Sequence, residues 1–187
     1  MPSPDRGGRV VSVRVAGAGP VADLLRARVV SDATACVVVA PLVVEPVAVA
    51  RITDEQIDRL WEQPMRTVIS ELQRAKADGC RRIVVVVPTT GMSGGADHAA
   101  VAAASEAMRV LVKSAARQWG HDGTTVNAVA LEPERFGIDV SVSGPVSIAP
   151  RALDTEVDPV ATVSFLCSEG AAHVTGQTFV CDGGLWM

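Results

Sequence analysis

RRIVVVVPTTG (Arg81–Gly91) is the stretch from which the fold can be read. Its apolar run, Ile83 to Val87, is closed by Pro88 and Gly91. A short β-branched run ended by turn formers predicts a strand buried on both faces, as strands of parallel sheets are. The loop MSGGADH (Met92–His98) follows, and then AAVAAASEAMRVLVKSAARQWG, an Ala-rich helix expected from about His98 to Trp119. HDGT (His121–Thr124) turns the chain into TVNAVAL (Thr125–Leu131), a second buried strand. The unit is β-loop-α-β, the building block of a parallel α/β sheet.

Upstream, ACVVVAPLVV (Ala35–Val44) reads as another strand. Between it and Arg81 lies ITDEQIDRLWEQPMRTVISELQRAKADG (Ile52–Gly79), with apolar residues at helical spacing from Ile57 to Leu72. Thr53 with Gln56 predicts a capping box, Pro64 a kink or division, and Gly79 the residue just past the helix end. RVVSVRV (Arg9–Val15) predicts a short strand and AGAGPVADLLRARV a turn into a helix. Gly17, Gly19 and Ala22 spell G-x-G-x-x-A between the two, formally a dinucleotide fingerprint. Pro20 removes one N–H that would face a pyrophosphate, and such a turn also arises from plain packing. Downstream, residues 132–157 are rich in Gly, Pro and Ser and predict irregular structure. Asp158-Pro159 predicts the start of a last helix, before a final strand in QTFVCDGG.

In order and spacing, Arg81–Leu131 resembles the core of the short-chain dehydrogenase/reductase (SDR) family. Pro159–Met187 resembles that family's closing pattern, with a helix ending Phe165-Leu166-Cys167-Ser168, a Thr175-Gly176-Gln177 turn and a last strand capped by Asp182-Gly183-Gly184. The resemblance implies an α/β fold, a Rossmann-like doubly wound parallel sheet flanked by helices, as one domain over residues 1–187. Residues 1–8 are expected to be a disordered tail, and 132–157 an irregular loop in place of the family's substrate loop. The family has about three βα units before the strand that Ala35 begins. A βαβ unit needs ~30 residues, so a shortened N-terminal, cofactor-binding half is expected, with no acid ending a second strand to take ribose hydroxyls.

The resemblance also places the family's catalytic residues. Its Ser falls on Pro88, its Tyr on Val101, its Lys on Ser105 and its supporting Asn on or near Pro64. The Pro-Gly that backs the nicotinamide falls on Leu131-Glu132. Independently of any alignment, the chain contains no Tyr, and its only Lys residues are Lys76 and Lys113. A general acid must be titratable and within hydrogen-bond reach of the substrate oxygen; Val and Pro are neither. The expectation is therefore a degenerate site with no catalytic residues and no cofactor held by this chain, Gly17, Gly19 and Ala22 being the only candidates. His98, Thr89, Thr90 and Ser93 are what remains near the mouth of such a site, and His121-Asp122 share a turn without dyad geometry.

Composition narrows the classes. The chain has 187 residues, net charge −4 and 48% hydrophobic residues, which describes one folded domain. An acidic balance with 3% aromatics and no basic stripe argues against nucleic acid. The apolar stretches are too short to cross a bilayer and MPSPDRGGR lacks signal-peptide order, so a cytoplasmic, non-membrane protein is expected. Cys36, Cys80, Cys167 and Cys181 stand far apart without ligand spacing, which predicts free, mostly buried thiols and no metal.

These expectations combine into a non-catalytic SDR-like pseudoenzyme subunit that assembles with an active SDR. The partner would carry NAD or NADP and act on hydroxyacyl- or ketoacyl-CoA or polyketide-type substrates. Family oligomers pair two helices in a four-helix bundle, which implies a hetero-oligomer, a tetramer, joined through the 54–78 and 98–119 helices and the C-terminal strand. Trp61, Met65, Ala104, Met108, Leu111, Trp186 and Met187 are the expected interface residues. One alternative is an NAD(P)-dependent oxidoreductase with non-standard catalytic residues; another is a homo-oligomeric ligand-binding or regulatory protein.

Overall fold

The run Ile83–Val87 lies in strand β3 (Arg82–Pro88), at the centre of a five-stranded parallel sheet. The computed structural model describes residues 13–139 and 158–185. The remaining strands are β1 (Val13–Ala16), β2 (Ala35–Val39), β4 (Thr125–Leu131) and β5 (Thr178–Cys181), ordered β1-β2-β3-β4-β5. β3 pairs with β2 from Ala35↔Arg82 to Val39↔Val86, and with β4 from Arg82↔Thr125 to Pro88↔Leu131. All of β2, β3 and β4 is buried, because helices cover both faces. β2 stops at Val39, earlier than the apolar run Ala35–Val44 suggests, since Pro41 has no N–H to continue the ladder.

Alternation along the strands sorts the core into two layers. Cys36, Val38, Ile83, Val85, Val87, Ala128 and Ala130 face helices α3 (Gln63–Ala77) and α5 (Ala99–Trp119). Val37, Val39, Val84, Val86, Val129 and Leu131 face α1 (Pro20–Arg28) and α6 (Val160–Cys167). A fully buried Val or Leu contributes ~1.5–3 kcal/mol, and the sheet carries such residues on each side. The sequence expectation of a parallel sheet flanked by helices is met.

The helices begin and end for local reasons. Short α2 (Asp54–Ile57) opens on the expected capping box, the Thr53 hydroxyl accepting from Gln56 N and the Gln56 side chain accepting from Thr53 N. The expected break at Pro64 takes the form of one wide π-turn, Asp58–Glu62, just upstream. A proline ring crowds the carbonyl four residues back, and a wide turn makes room for it. Gly79 follows α3 with φ 76°, as expected of a residue past a helix end. α6 begins at Val160, one residue later than the sequence suggests, with Asp158 accepting from Val160 N at 3.0 Å. The expected tail, most of the 132–157 segment, and Trp186 and Met187 fall outside the described residues.

The direction of travel has a consequence. Every crossover steps one strand the same way across the sheet, yet α1 and α6 cover one face and α3 and α5 the other. Equal steps over opposite faces have opposite hands, so two of the four crossovers are left-handed. It also means that the chain leaves β1 toward one face and β2 toward the other.

Candidate functional site

Where neighbouring strands send their connections to opposite faces, a crevice opens at their carboxyl ends. The faces switch between β1 and β2 and again between β3 and β4, and a crevice stands open at the first. A cavity of about 580 Å³ fills it, walled by Ala18–Val21 after β1, by Val39–Leu42 after β2, and by Glu134–Gly137. The third wall is a 3₁₀ turn (Pro133–Phe136) following β4, which brackets the crevice from the middle of the sheet.

Two of the three fingerprint residues flank this crevice. Gly17 has φ 115°, and a Cβ there would stand 2.9 Å from the Val39 carbonyl oxygen, so the loop approaches β2 more closely than any side chain allows. Gly19 has φ 90° with nothing within 4 Å of a Cβ position, so it faces open space. Ala22 is fully buried and serves helix–sheet packing instead. The first intrahelical bond of α1 runs from Asp23 N to Gly19 O at 3.0 Å. The N–H groups of Val21 and Ala22 precede it and stand at the positive end of the helix dipole. Arg26 fixes the loop by donating to Gly17 O at 3.0 Å. This half of the crevice fits a phosphate-bearing group, although Pro20 contributes no donor.

The second position of interest lies at the carboxyl end of β3, where the resemblance places the family's chemistry. Pro88 ends the strand and is buried. Val101 is fully buried, and Ser105 is 1% exposed with its hydroxyl donating to Val101 O at 2.8 Å. Pro64 is buried within α3. The loop after β3 lies directly on α5: a Cβ on Gly91 would be 2.8 Å from both Ser105 Cβ and Glu106 N. These four residues thus occupy packed interior and present no titratable group. His98 is 6% exposed, precedes α5, and has Nδ1 2.8 Å from Ala96 O. Thr89 and Thr90 are buried, the Thr90 hydroxyl without a partner among the described residues.

Other titratable groups are spent on structure. The Lys76 ammonium, then Thr124, hold the Asp122 carboxyl well below the usual carboxylate range, and His121 Nδ1 lies 2.8 Å from Gln118 O. Asn127, which the sequence reading passed over, is fully buried and ties β4 to the segment before β5 through Val174 O at 2.8 Å and Gln177 N at 3.1 Å. Burial pushes the Cys36 and Cys167 thiols up to about 12. Cys36, Cys80 and Cys167 are buried and Cys181 is half-buried, as expected of free structural thiols. Among the described residues no cluster of three or more metal-ligating side chains occurs. No helix among them is long and apolar enough to cross a membrane.

The residues expected at an interface divide. Trp61 is 42% exposed on the wide turn before α3, and Met65 and Leu111 are half-buried. Ala104 and Met108 are fully buried against the chain's own sheet, facing inward. The outward apolar residues of α3 and α5 are Ile69, 38% exposed, and Val110, 49% exposed. Helical period explains the difference: position 110 lies about half a turn from 108, so one of the pair must point away from the sheet.

Comparison with known proteins agrees with this geometry. The family described as "Enoyl-(Acyl carrier protein) reductase" matches residues 39–186. A probable short-chain type dehydrogenase/reductase of Bradyrhizobium diazoefficiens is 32% identical over 142 residues, 67% of this chain and 50% of that protein. A 3-oxoacyl-[acyl-carrier-protein] reductase of Staphylococcus aureus is 28% identical over 151 residues, 73% of this chain and 60% of that protein. A short-chain dehydrogenase/reductase of Hericium erinaceus is 37% identical over 101 residues, 50% of this chain and 40% of that protein. The chain thus spans about half the length of the curated relatives it matches. Among solved structures, a 4-hydroxyisoleucine dehydrogenase complexed with NADH and succinate superposes with a TM-score of 0.58 at 21% identity. That superposition covers 80% of this chain and 68% of the other, a likeness of fold.

Proposed function

This chain belongs to the short-chain dehydrogenase/reductase family, and from that premise we propose that it is a non-catalytic subunit which assembles with an active member of that family. One observation carries the proposal. The resemblance places the family's Ser, Tyr and Lys on Pro88, Val101 and Ser105, and all three of these residues are packed interior. No phenol exists anywhere in the sequence to replace the missing proton donor. A carbonyl oxygen entering here would meet hydrocarbon and a hydroxyl already committed to a backbone carbonyl. The outward side chains Trp61, Ile69 and Val110 supply apolar surface for pairing helices with a partner. The partner would hold NAD or NADP and its own catalytic residues, with acyl-thioester or polyketide-type substrates as the candidate class.

The test is recovery of the natively expressed chain followed by native mass measurement and turnover assays. The expected result is a complex with a second, catalytically complete family member and no turnover by the purified chain alone. Reduction of a ketone or oxidation of an alcohol by the chain alone, with added nicotinamide cofactor, overturns the proposal; a self-contained homo-oligomer points to a ligand-binding or regulatory role.

The crevice between β1 and β2 favours a second reading, an oxidoreductase that retains nucleotide binding and uses displaced catalytic groups. Its signature is saturable binding of NADH or NADPH by the isolated chain, abolished by Gly19→Val at the open helix entrance. A flat titration removes it.

A further inference from the structure

A second cavity lies on the α5 side of the sheet. α5 presents Arg109, Lys113 and Arg117 at four-residue spacing, which sets them on one stripe, ~6 Å apart along the helix. They line one wall of a cavity of about 680 Å³, whose opposite wall is Thr175–Thr178 and whose end is Met92. The strand pattern explains why space remains there. Phe179 and Cys181 of β5 pack into the α1/α6 layer, which sends Thr178 and Val180 to the other face. On that face α5 is seated over β3 and β4, so no helix among the described residues covers the flank of β5, and Val180 is 38% exposed.

The charges in this groove are unbalanced. Arg109 is held by Glu106 through bonds of 2.7 and 2.5 Å. Lys113 and Arg117 are exposed, and neither makes an ion pair among the described residues. Two uncompensated cations facing one cavity run against the net charge of −4. In the facing wall the Thr178 hydroxyl is closed off from solvent and has no partner among the described residues. A single χ1 step exchanges a threonine's hydroxyl with its methyl and would turn this donor into the groove.

We propose that this groove binds a phosphate-bearing small molecule, its phosphate seated between Lys113 and Arg117 and bonded by the Thr178 hydroxyl. A guanidinium, an ammonium and a hydroxyl satisfy the several oxygens of a near-dianionic phosphate, which a carboxylate offers only in part. The cavity exceeds what inorganic phosphate fills, so the remainder of the ligand lies along the groove toward Arg109 and Met92. The site is on the α5 face near the start of β5, whereas the β1–β2 crevice is at the carboxyl end of the sheet. It does not depend on the assembly proposal.

The experiment is calorimetric titration of the full chain with pyrophosphate at low ionic strength, paired with amide chemical-shift mapping. Saturable binding is expected, with shifts confined to residues 109–117 and 175–178. Lys113→Gln/Arg117→Gln should weaken binding roughly tenfold or more, the loss expected from removing charge-assisted bonds. Thr178→Val should weaken it several-fold, and Arg74→Gln, on α3, should leave it unchanged. Absence of saturable binding overturns the proposal. So does unchanged affinity in the double variant, or shifts centred on the α1 entrance instead.

Discussion

Gly91→Ala adds one methyl at the point where the loop after β3 rests on α5. The new Cβ would meet Glu106 N and Ser105 Cβ at 2.8 Å and Ser105 C at 3.1 Å. Favourable carbon contacts begin near ~3.5 Å, so all three are overlaps. Two involve the backbone of a 21-residue helix, which no rotamer change can relieve. Overpacking of this kind costs ~1–3 kcal/mol. Replacing glycine also narrows the unfolded ensemble, which returns ~0.4–1 kcal/mol. The net expectation is a loss of about 1–2 kcal/mol. Gly120→Ala supplies the matched control: φ is −62°, and nothing lies within 4 Å of its Cβ position. With no clash, only the entropic gain of about 0.4–1 kcal/mol remains. The same methyl should therefore shift stability in opposite directions at the two sites. Urea titration followed by circular dichroism reads both, with melting temperatures separated by roughly 3–12 °C for a chain of this size. A Gly91→Ala protein as stable as the parent, with an unchanged urea slope, would refute the sealing of the β3 end by its own loop.

The buried thiols give a labelling prediction: at pH 8.5 Cys36 and Cys167, pushed up to about 12 by burial, should resist alkylation in the folded chain and react in concentrated urea. Rapid native labelling of either contradicts the packing. Because their folded values are raised, this contribution to stability is complete below the ordinary thiol value and fades as pH climbs from there toward about 12. Asp122, lowered by Lys76, and Glu45, lowered by Arg59, have the opposite sign. Their stabilisation is present above the ordinary carboxylate range and lost as pH falls through and below it, so Asp122→Asn should flatten the acid limb of a stability–pH curve. Met108→Ala should cost about 2–5 kcal/mol, since its side chain fills the core. Trp61→Ala, on a half-exposed side chain, should cost the isolated chain less than about 1 kcal/mol while weakening assembly; denaturation and sedentation-equilibrium measurements that rank them the other way would contradict the assigned faces.

Much of this fold was readable because the signals were local. Ile83–Val87 is uniformly apolar and so had to be buried on both sides, and Thr53-x-x-Gln56 fixed a helix start through two bonds spanning three residues. The candidate site was less readable because it is made by approach. The absence of a phenol can be counted, but that Ser105 is sealed by Gly91 depends on two segments fourteen positions apart meeting at 2.8 Å. The third wall of the β1–β2 crevice, Glu134–Gly137, comes from beyond β4 and left no periodic trace. Ala104 and Met108 show the limit of pattern in a helix apolar on several sides. Its composition admits two buried faces, and only packing shows that these residues point to the sheet. The short stripe Arg109, Lys113, Arg117 has i, i+4 spacing that the sequence reading passed over, and its facing wall at Thr175–Thr178 left no local trace.

The two left-handed crossovers bear on how the chain came to keep a crevice. Right-handed connections account for ~98% of such units, so this arrangement calls for a specific source of stability. The face shared by α1 and α6 supplies one. The link from α1 to β2 is tied to α6 and the turn after it: Ser31 Oγ lies 2.6 Å from Cys167 O, Val30 N donates to Ser164 Oγ at 3.3 Å, and Asp32 accepts from Glu169 N at 2.8 Å. Arg28 pairs with Asp158 at 2.5 Å at the other end of α6. Each crossover on this face is thus braced by the other, and together they bury Ala22, Leu25, Leu166 and Cys167 against the sheet. Moving α1 to the opposite face would give its crossover the hand of those through α3 and α5, but would strip that packing and send the chain from β1 and β2 the same way. The crevice exists only because the directions differ. The unusual hand and the candidate phosphate entrance at Gly19 are therefore one structural fact, and the stitching at Ser31 and Asp32 helps preserve both.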